Sequence, residues 1–274
     1  MASTQQPGAG PQSAYNALPG IRWSRLKRMA ISPLHYATPS TYSSPAMSLG
    51  SIVHALLLGT PDVAVYDGAV RRGKAWEAFT AEHADGLIAT ADEKLRAERI
   101  ATAVRARPDL ARLSSPELYR EYAVEWTDAR TGLRCKAQLD AYDAGAGVYY
   151  EIKTARDVGE RGFGVAAYRL GYVEQCAFYS RGVVATGLAA ARPACMLVAV
   201  ENSDDACDVA VYDVPEPLLR AADERIDRLL ARVAECTASG VWPGQCPERR
   251  ALWCPPWADE GDAVEAVTGL EGVE

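Results

Sequence analysis

Residues 138–153 read QLDAYDAGAGVYYEIK. Two apolar-alternating runs flank a Gly-rich turn, Asp143-Ala144-Gly145-Ala146-Gly147, the pattern of a β-hairpin. A turn centred on Gly145-Ala146 sets Asp143 against Val148, Tyr142 against Tyr149 and Asp140 against Glu151. Side chains directly opposed in this way lie about 4.5–5.5 Å apart at Cβ, where like charges repel. A divalent cation removes that repulsion, and carboxylate oxygens are what Mg²⁺ selects. The two-residue period of a strand puts Lys153 on the face of Glu151. Two carboxylates and one ammonium on one face suit metal-assisted hydrolysis. Charges on the exposed side of a half-buried sheet would produce the same letters, so the hairpin alone leaves both readings open.

Working outward, the apolar spacing predicts a short helix at Ser24–Ala30, ended by Ser32-Pro33, and a polar loop over Thr38–Pro45. Helices are expected at Met47–Leu58, Lys74–His83 and Ala91–Ala106. A strand at Tyr119–Trp126 precedes a turn at Thr131-Gly132 and the hairpin strands Arg134–Tyr142 and Val148–Thr154. Helices at Phe163–Leu170 and Val173–Ala185, a hairpin of Ala194–Glu201 with Cys207–Val214, and a long helix at Pro217–Gly240 complete the chain. This order predicts one α/β domain, a central mixed β-sheet flanked by helices. Residues 1–20, rich in Gly, Pro, Ser and Gln, are expected to be a disordered leader. The domain is expected over 21–258, with an acidic flexible tail at 259–274.

A net charge of -7 excludes a general basic coat, although a local cationic channel binds phosphates inside an acidic envelope. No apolar run approaches the roughly 18 residues of a membrane span, and the first residues lack the basic and apolar regions of a signal peptide. Seven cysteines without a C-x-x-C pair read as reduced thiols in the cytoplasm. Trp242-Pro243-Gly244 and Trp253-Cys254-Pro255-Pro256-Trp257 are expected to close over the core as packed aromatics.

Two further segments carry polar groups at telling positions. Gln175 and Tyr179 share one helix face; they suit either a site beside the hairpin or an ordinary solvated edge. His54 lies in the apolar run Ile52–Leu58. Such a histidine is usually a satisfied core residue, yet a neutral imidazole is also a metal ligand. Gly50, one turn earlier, would allow another backbone to approach closely. Arg22, Arg25, Lys27 and Arg28, and separately Arg71, Arg72 and Lys74, are candidate phosphate-binding groups or solvated surface charge.

Taken in order, Gly50–His54, Asp140, Glu151-Ile152-Lys153 and Gln175–Tyr179 resemble the PD-(D/E)XK nuclease superfamily. Ile31–Tyr36, Leu49–Leu58, Gly73–Trp76 and Gly171-Tyr172 narrow the likeness to the RecE or exonuclease VIII branch, related to RecB-type nuclease domains and lambda-type exonuclease. The proline that usually precedes the aspartate is Leu139 here. The resemblance implies that His54, Asp140, Glu151 and the main-chain carbonyl of Ile152 hold one or two Mg²⁺ or Mn²⁺ ions. It implies that Lys153 positions water and stabilises charge, and that Gln175 and Tyr179 organise the site and contact the DNA backbone. A 5′-phosphate pocket would lie near Arg28 and Ser32.

The activity so implied is that of an exodeoxyribonuclease, digesting duplex DNA ends 5′ to 3′ and leaving 3′ single strands for recombination. A ring-shaped homo-oligomer and a single-strand annealing partner come with it. The alternatives are an endonuclease or single-strand nuclease of the same fold, or a non-catalytic DNA-binding module. Some RecB-type nucleases carry an iron–sulfur cluster. None is expected here, because no cysteine precedes Cys135 and Cys236, Cys246 and Cys254 are spread apart.

Overall fold

Alternation along Val148–Ala155 decides which side chains meet which helices. Tyr149, Glu151 and Lys153 face one layer; Tyr150 and Ile152 face the other. The computed structural model describes residues 12–39, 45–59, 62–68, 70–84, 86–203 and 206–255. In chain order the elements are α1 (Gln12–Ala17), α2 (Trp23–Leu26), α3 (Pro33–Ala37), α4 (Pro45–Leu58), β1 (Val63–Val65), α5 (Lys74–Glu82), β2 (Leu87–Ala89) and α6 (Ala91–Arg105). They continue as β3 (Tyr119–Thr127), β4 (Arg134–Asp143), β5 (Val148–Ala155), α7 (Glu160–Leu170), α8 (Tyr172–Ala185), β6 (Ala194–Glu201), β7 (Val209–Asp213) and α9 (Glu216–Ser239).

The main sheet has the order β3-β4-β5-β6-β7. It is mixed: β5 and β6 run parallel, joined through α7 and α8, and the other pairs are antiparallel. On one face Leu139, Tyr149, Leu197 and Ala199 pack with Phe178 and Val183 of α8 and Ile226 and Leu230 of α9. On the other, Tyr150, Ile152, Val198 and Val200 pack with Ile52 and Val53 of α4 and Ile100 and Val104 of α6. Burying both faces of a sheet under helices gives the expected α/β architecture. No helix among the described residues is long and apolar enough to cross a membrane.

Three expectations change. The helical turns expected at Ser24–Ala30 stop before Ser32-Pro33, the second of them being a 3₁₀ turn at Lys27–Ala30, but Ser32-Pro33 also begins α3: Ser32 is extended and its hydroxyl accepts from the His35 N–H at 3.2 Å. Ser at the cap and Pro at the first helical position are the usual start signal. The parallel pair β1–β2 and a 3₁₀ segment at Pro108–Ser114 were not anticipated, being too short to show a period. Of the expected leader, residues 1–11 lie outside the described residues, but 12–20 are ordered. Lys136, 4% exposed, donates to the carbonyls of Tyr15, Asn16 and Leu18 at 2.8, 3.3 and 2.7 Å, tying this segment to β4. The expected tail at 259–274 lies outside the described residues, as does part of the loop expected over Thr38–Pro45. Trp242 stacks on Tyr36 at 5.5 Å as a closure would. Trp253 instead is 77% exposed, and Trp257 lies outside the described residues.

Candidate metal centre at the fork of the sheet

The β4–β5 ladder follows the expected register through Asp143–Val148, Tyr142–Tyr149 and Ala141–Tyr150. It stops there, one pair short of Asp140 and Glu151. Beyond that point the Asp140 carboxylate, not a backbone carbonyl, accepts the Ile152 N–H at 2.8 Å. The two strands fork, and side chains from both faces of the sheet meet in the opening.

From the α4 side comes His54. Its Nε2–H donates to the Ile152 carbonyl at 3.0 Å; a carbonyl only accepts, so Nε2 carries the hydrogen. Nδ1 then faces carboxylates, 3.5 Å from Asp140 Oδ1 and 3.8 Å from Glu121 Oε1. Gly50 makes this approach possible, although its close neighbour is a side chain rather than backbone: a Cβ there would lie 3.3 Å from Thr154 Oγ1 of β5. From the α8 side Gln175 donates to Glu151 Oε1 at 2.7 Å, and the Tyr179 ring lies 6.0 Å from that of Tyr149. Lys153 contacts the same Glu151 oxygen and lies 5.0 Å from the centre of the Tyr172 ring.

The electrostatics are those of a buried site crowded with negative charge. Asp140 is 7% exposed and Glu151 1% exposed. Burial and the Asp140 charge push Glu151 up to about 8, against the pull of Lys153. Burial opposes ionisation of Asp140 too, but His54, Lys153 and the Ile152 N–H together hold it below its ordinary value. For His54, burial disfavours the charged ring, yet Asp140 and Glu121 outweigh it and raise the imidazole to about 10. Burial likewise opposes the Lys153 ammonium, and Glu151 and Asp140 more than restore it. Glu151 Oε2 is buried without a hydrogen-bond partner, a costly arrangement unless a cation completes it. His54, Glu121 and Asp140 present ligand atoms all within 4.8 Å of one another. This nitrogen-and-oxygen donor set fits a divalent metal ion.

His54, Asp140, Glu151, Lys153, Gln175 and Tyr179 are therefore brought together, with the Ile152 carbonyl among them. The basic candidates are more scattered. Arg25 stacks over the Tyr36 ring at 4.6 Å, and Arg28 donates to the Thr38 carbonyl at 2.6 Å. Ser32 is 4% exposed and engaged as the cap of α3 with His35, so its hydroxyl is not open to a phosphate. Arg71 pairs with Glu93, and Arg72 is exposed on the surface. Lys27 comes nearest the site: burial and the charge of Lys153 both lower its affinity for a proton.

Three residues escaped the motif reading as members of the site. Lys27 appeared only as one of several candidate phosphate-binding groups. Tyr172 follows Gly171 in the pattern quoted above, but without a role. Glu121 carried no signal, because its place depends on a backbone departure: it is the one non-glycine among the described residues with positive φ, +44°.

The family model described as "PDDEXK-like domain of unknown function (DUF3799)" matches residues 23–252. No curated protein matches the chain. Among solved structures, a protein described as a putative exonuclease from Eubacterium rectale is 15% identical, with a TM-score of 0.61 over 94% of this chain and 99% of that one. A phage-related exonuclease from Haemophilus somnus 129PT is 10% identical, with a TM-score of 0.36 over 83% of this chain and 100% of that one.

Proposed function

Because this chain belongs to the family of PDDEXK-like domains of unknown function (DUF3799), we propose that it is a metal-dependent nuclease, and more closely an exodeoxyribonuclease. The observation that carries the reading is the convergence of Asp140, Glu151 and Lys153 with His54 at the sheet fork. His54, Asp140, Glu151 and the Ile152 carbonyl would hold one or two Mg²⁺ or Mn²⁺ ions. Such an ion supplies Lewis acidity, polarising a phosphodiester oxygen and acidifying water.

The protein groups divide the remaining work. Lys153 stays protonated between its two carboxylates, so it acts as a fixed positive charge against the phosphate rather than as a base. Gln175 orients Glu151 through its amide, and Tyr179, one turn further along α8, would organise the site beside it. Tyr172 limits where the Lys153 ammonium can go. Arg25, Lys27 and Arg28, on α2 and the 3₁₀ turn after it, would meet the DNA backbone. The substrate in this reading is a duplex DNA end, degraded 5′ to 3′ to leave 3′ single strands for recombination. Ring-shaped self-association and a single-strand annealing partner belong to the same proposal and rest on the resemblance alone.

Digestion of end-labelled linear duplex in Mg²⁺ tests it. Wild type is expected to release labelled nucleotide, and Lys153→Ala and Asp140→Ala to lose about 10²–10³-fold. An inert wild type, or two fully active variants, would sink the mechanism. Nicking of closed circular plasmid would turn the assignment to an endonuclease.

A further inference from the structure

We propose that Glu121 is a further ligand of the divalent cation, on the side of the site formed by His54 Nδ1 and Asp140 Oδ1. The inference rests on the metal-dependent reading above and adds a residue that no motif contains. Four observations carry it.

Glu121 Oε1, His54 Nδ1 and an Asp140 oxygen lie within 4.8 Å of one another, and Glu151 is not a member of that cluster. Glu151 is turned toward Lys153 and Gln175. The His54 nitrogen that does not bond the Ile152 carbonyl is the one that Glu121 faces.

The backbone is bent to this end. Pairs Arg120–Ala141 and Tyr122–Leu139 flank a missing Glu121–Asp140 pair, without a change of register. Both strands switch faces there. Leu139 and Tyr142 lie in one core layer while Ala141 lies in the other, and Tyr119 and Tyr122, an odd number of residues apart, pack on the same layer. Glu121 takes φ +44°, a conformation that bulky side chains rarely adopt and that costs strain. Ordinary pairing would avoid that cost, but it would not aim the carboxylate at His54.

Charge points the same way. Three carboxylates, Glu121, Asp140 and Glu151, converge on one permanent cation, Lys153, and one imidazole. Glu151 Oε2, in a residue only 1% exposed, is buried and lacks a hydrogen-bond partner. A divalent cation shared with Glu121 offsets the mutual repulsion of these carboxylates.

The test is Mn²⁺ binding by calorimetry to the full chain, with folding checked by circular dichroism. Wild type is compared with the isosteric Glu121→Gln and, in case that variant misfolds, Glu121→Asp. Weakening of about tenfold or more in Glu121→Gln, with native circular dichroism, is the expected result. Should only Glu121→Asp fold, retained but weaker Mn²⁺ binding is expected of it. Unchanged binding in a folded variant overturns the proposal. The parent reading fails separately, if wild type binds Mn²⁺ in a Glu121-dependent way but leaves DNA intact. A wild type that binds no Mn²⁺ overturns both.

Discussion

Glu151 is the residue on which the titration behaviour of the site turns. Its carboxyl is raised from 4.5 to about 8 by burial and by Asp140. The folded chain therefore holds a proton that the unfolded chain has released, and that contribution to stability is present below 4.5 and lost as pH rises through about 8. In EDTA, the melting temperature of wild type is expected to fall across this window more steeply than that of Glu151→Gln. Parallel curves for the two proteins would contradict the assignment. Gln175 makes a second residue-level case. It bonds Glu151 at 2.7 Å but reaches neither His54 nor the Asp140 oxygens. Gln175→Leu is expected to cost about 10–100-fold in cleavage or Mn²⁺ affinity, the range for groups that orient a ligand, and Tyr179→Phe less. A Gln175→Leu enzyme with wild-type kinetics would remove Gln175 from the site.

At the scale of elements, α8 is the support of the site, and its distance from the sheet is set by Gly182. A Cβ at Gly182 would stand 2.8 Å from both the Trp126 ring and the Val124 side chain of β3. Ala would favour the helix by about 0.8–1 kcal/mol, while overpacking costs about 1–3 kcal/mol. Gly182→Ala is thus expected to destabilise by up to about 2 kcal/mol in chemical denaturation, and to lower activity by shifting Gln175. A stabilised variant would show that α8 tolerates displacement. Most of the long elements were legible from the sequence. The capped, periodic helix α6, with its Thr90–Glu93 capping box, and the alternating strands β3 to β6 declare themselves locally. Three-residue strands such as β1 and β2 cannot, since one period of alternation is no pattern.

For the whole molecule, the buried Lys136 links the start of the chain to the middle of the sheet. Its ammonium is satisfied by three carbonyls from residues 15–18, so its loss takes a donor from each of them. Lys136→Met is expected to release residues 12–20, read as faster hydrogen exchange and earlier proteolytic cleavage there, with the Mn²⁺ site intact. Unchanged protection of that segment would show that Tyr15 packing alone holds it. No sequence signal marked this latch, because its two halves are more than a hundred residues apart and a strand lysine reads as surface charge.

The alternation around Asp140, Glu151 and Lys153, the turn at Gly145, and the helix faces of His54 and Gln175 are local facts. The sequence by itself determined them, and with them the expected mixed sheet and the choice of residues proposed for the site. The register at the turn was among them, since a two-residue period and a Gly-rich turn leave little choice. The fork was not. Where β4 leaves β5, and where Glu121 leaves ordinary strand conformation, depends on competition between ladder hydrogen bonds and the gathering of charged side chains from four separate elements. That balance is settled only by tertiary packing, so Glu121, Tyr172 and Lys27 joined the site only once the chain was folded.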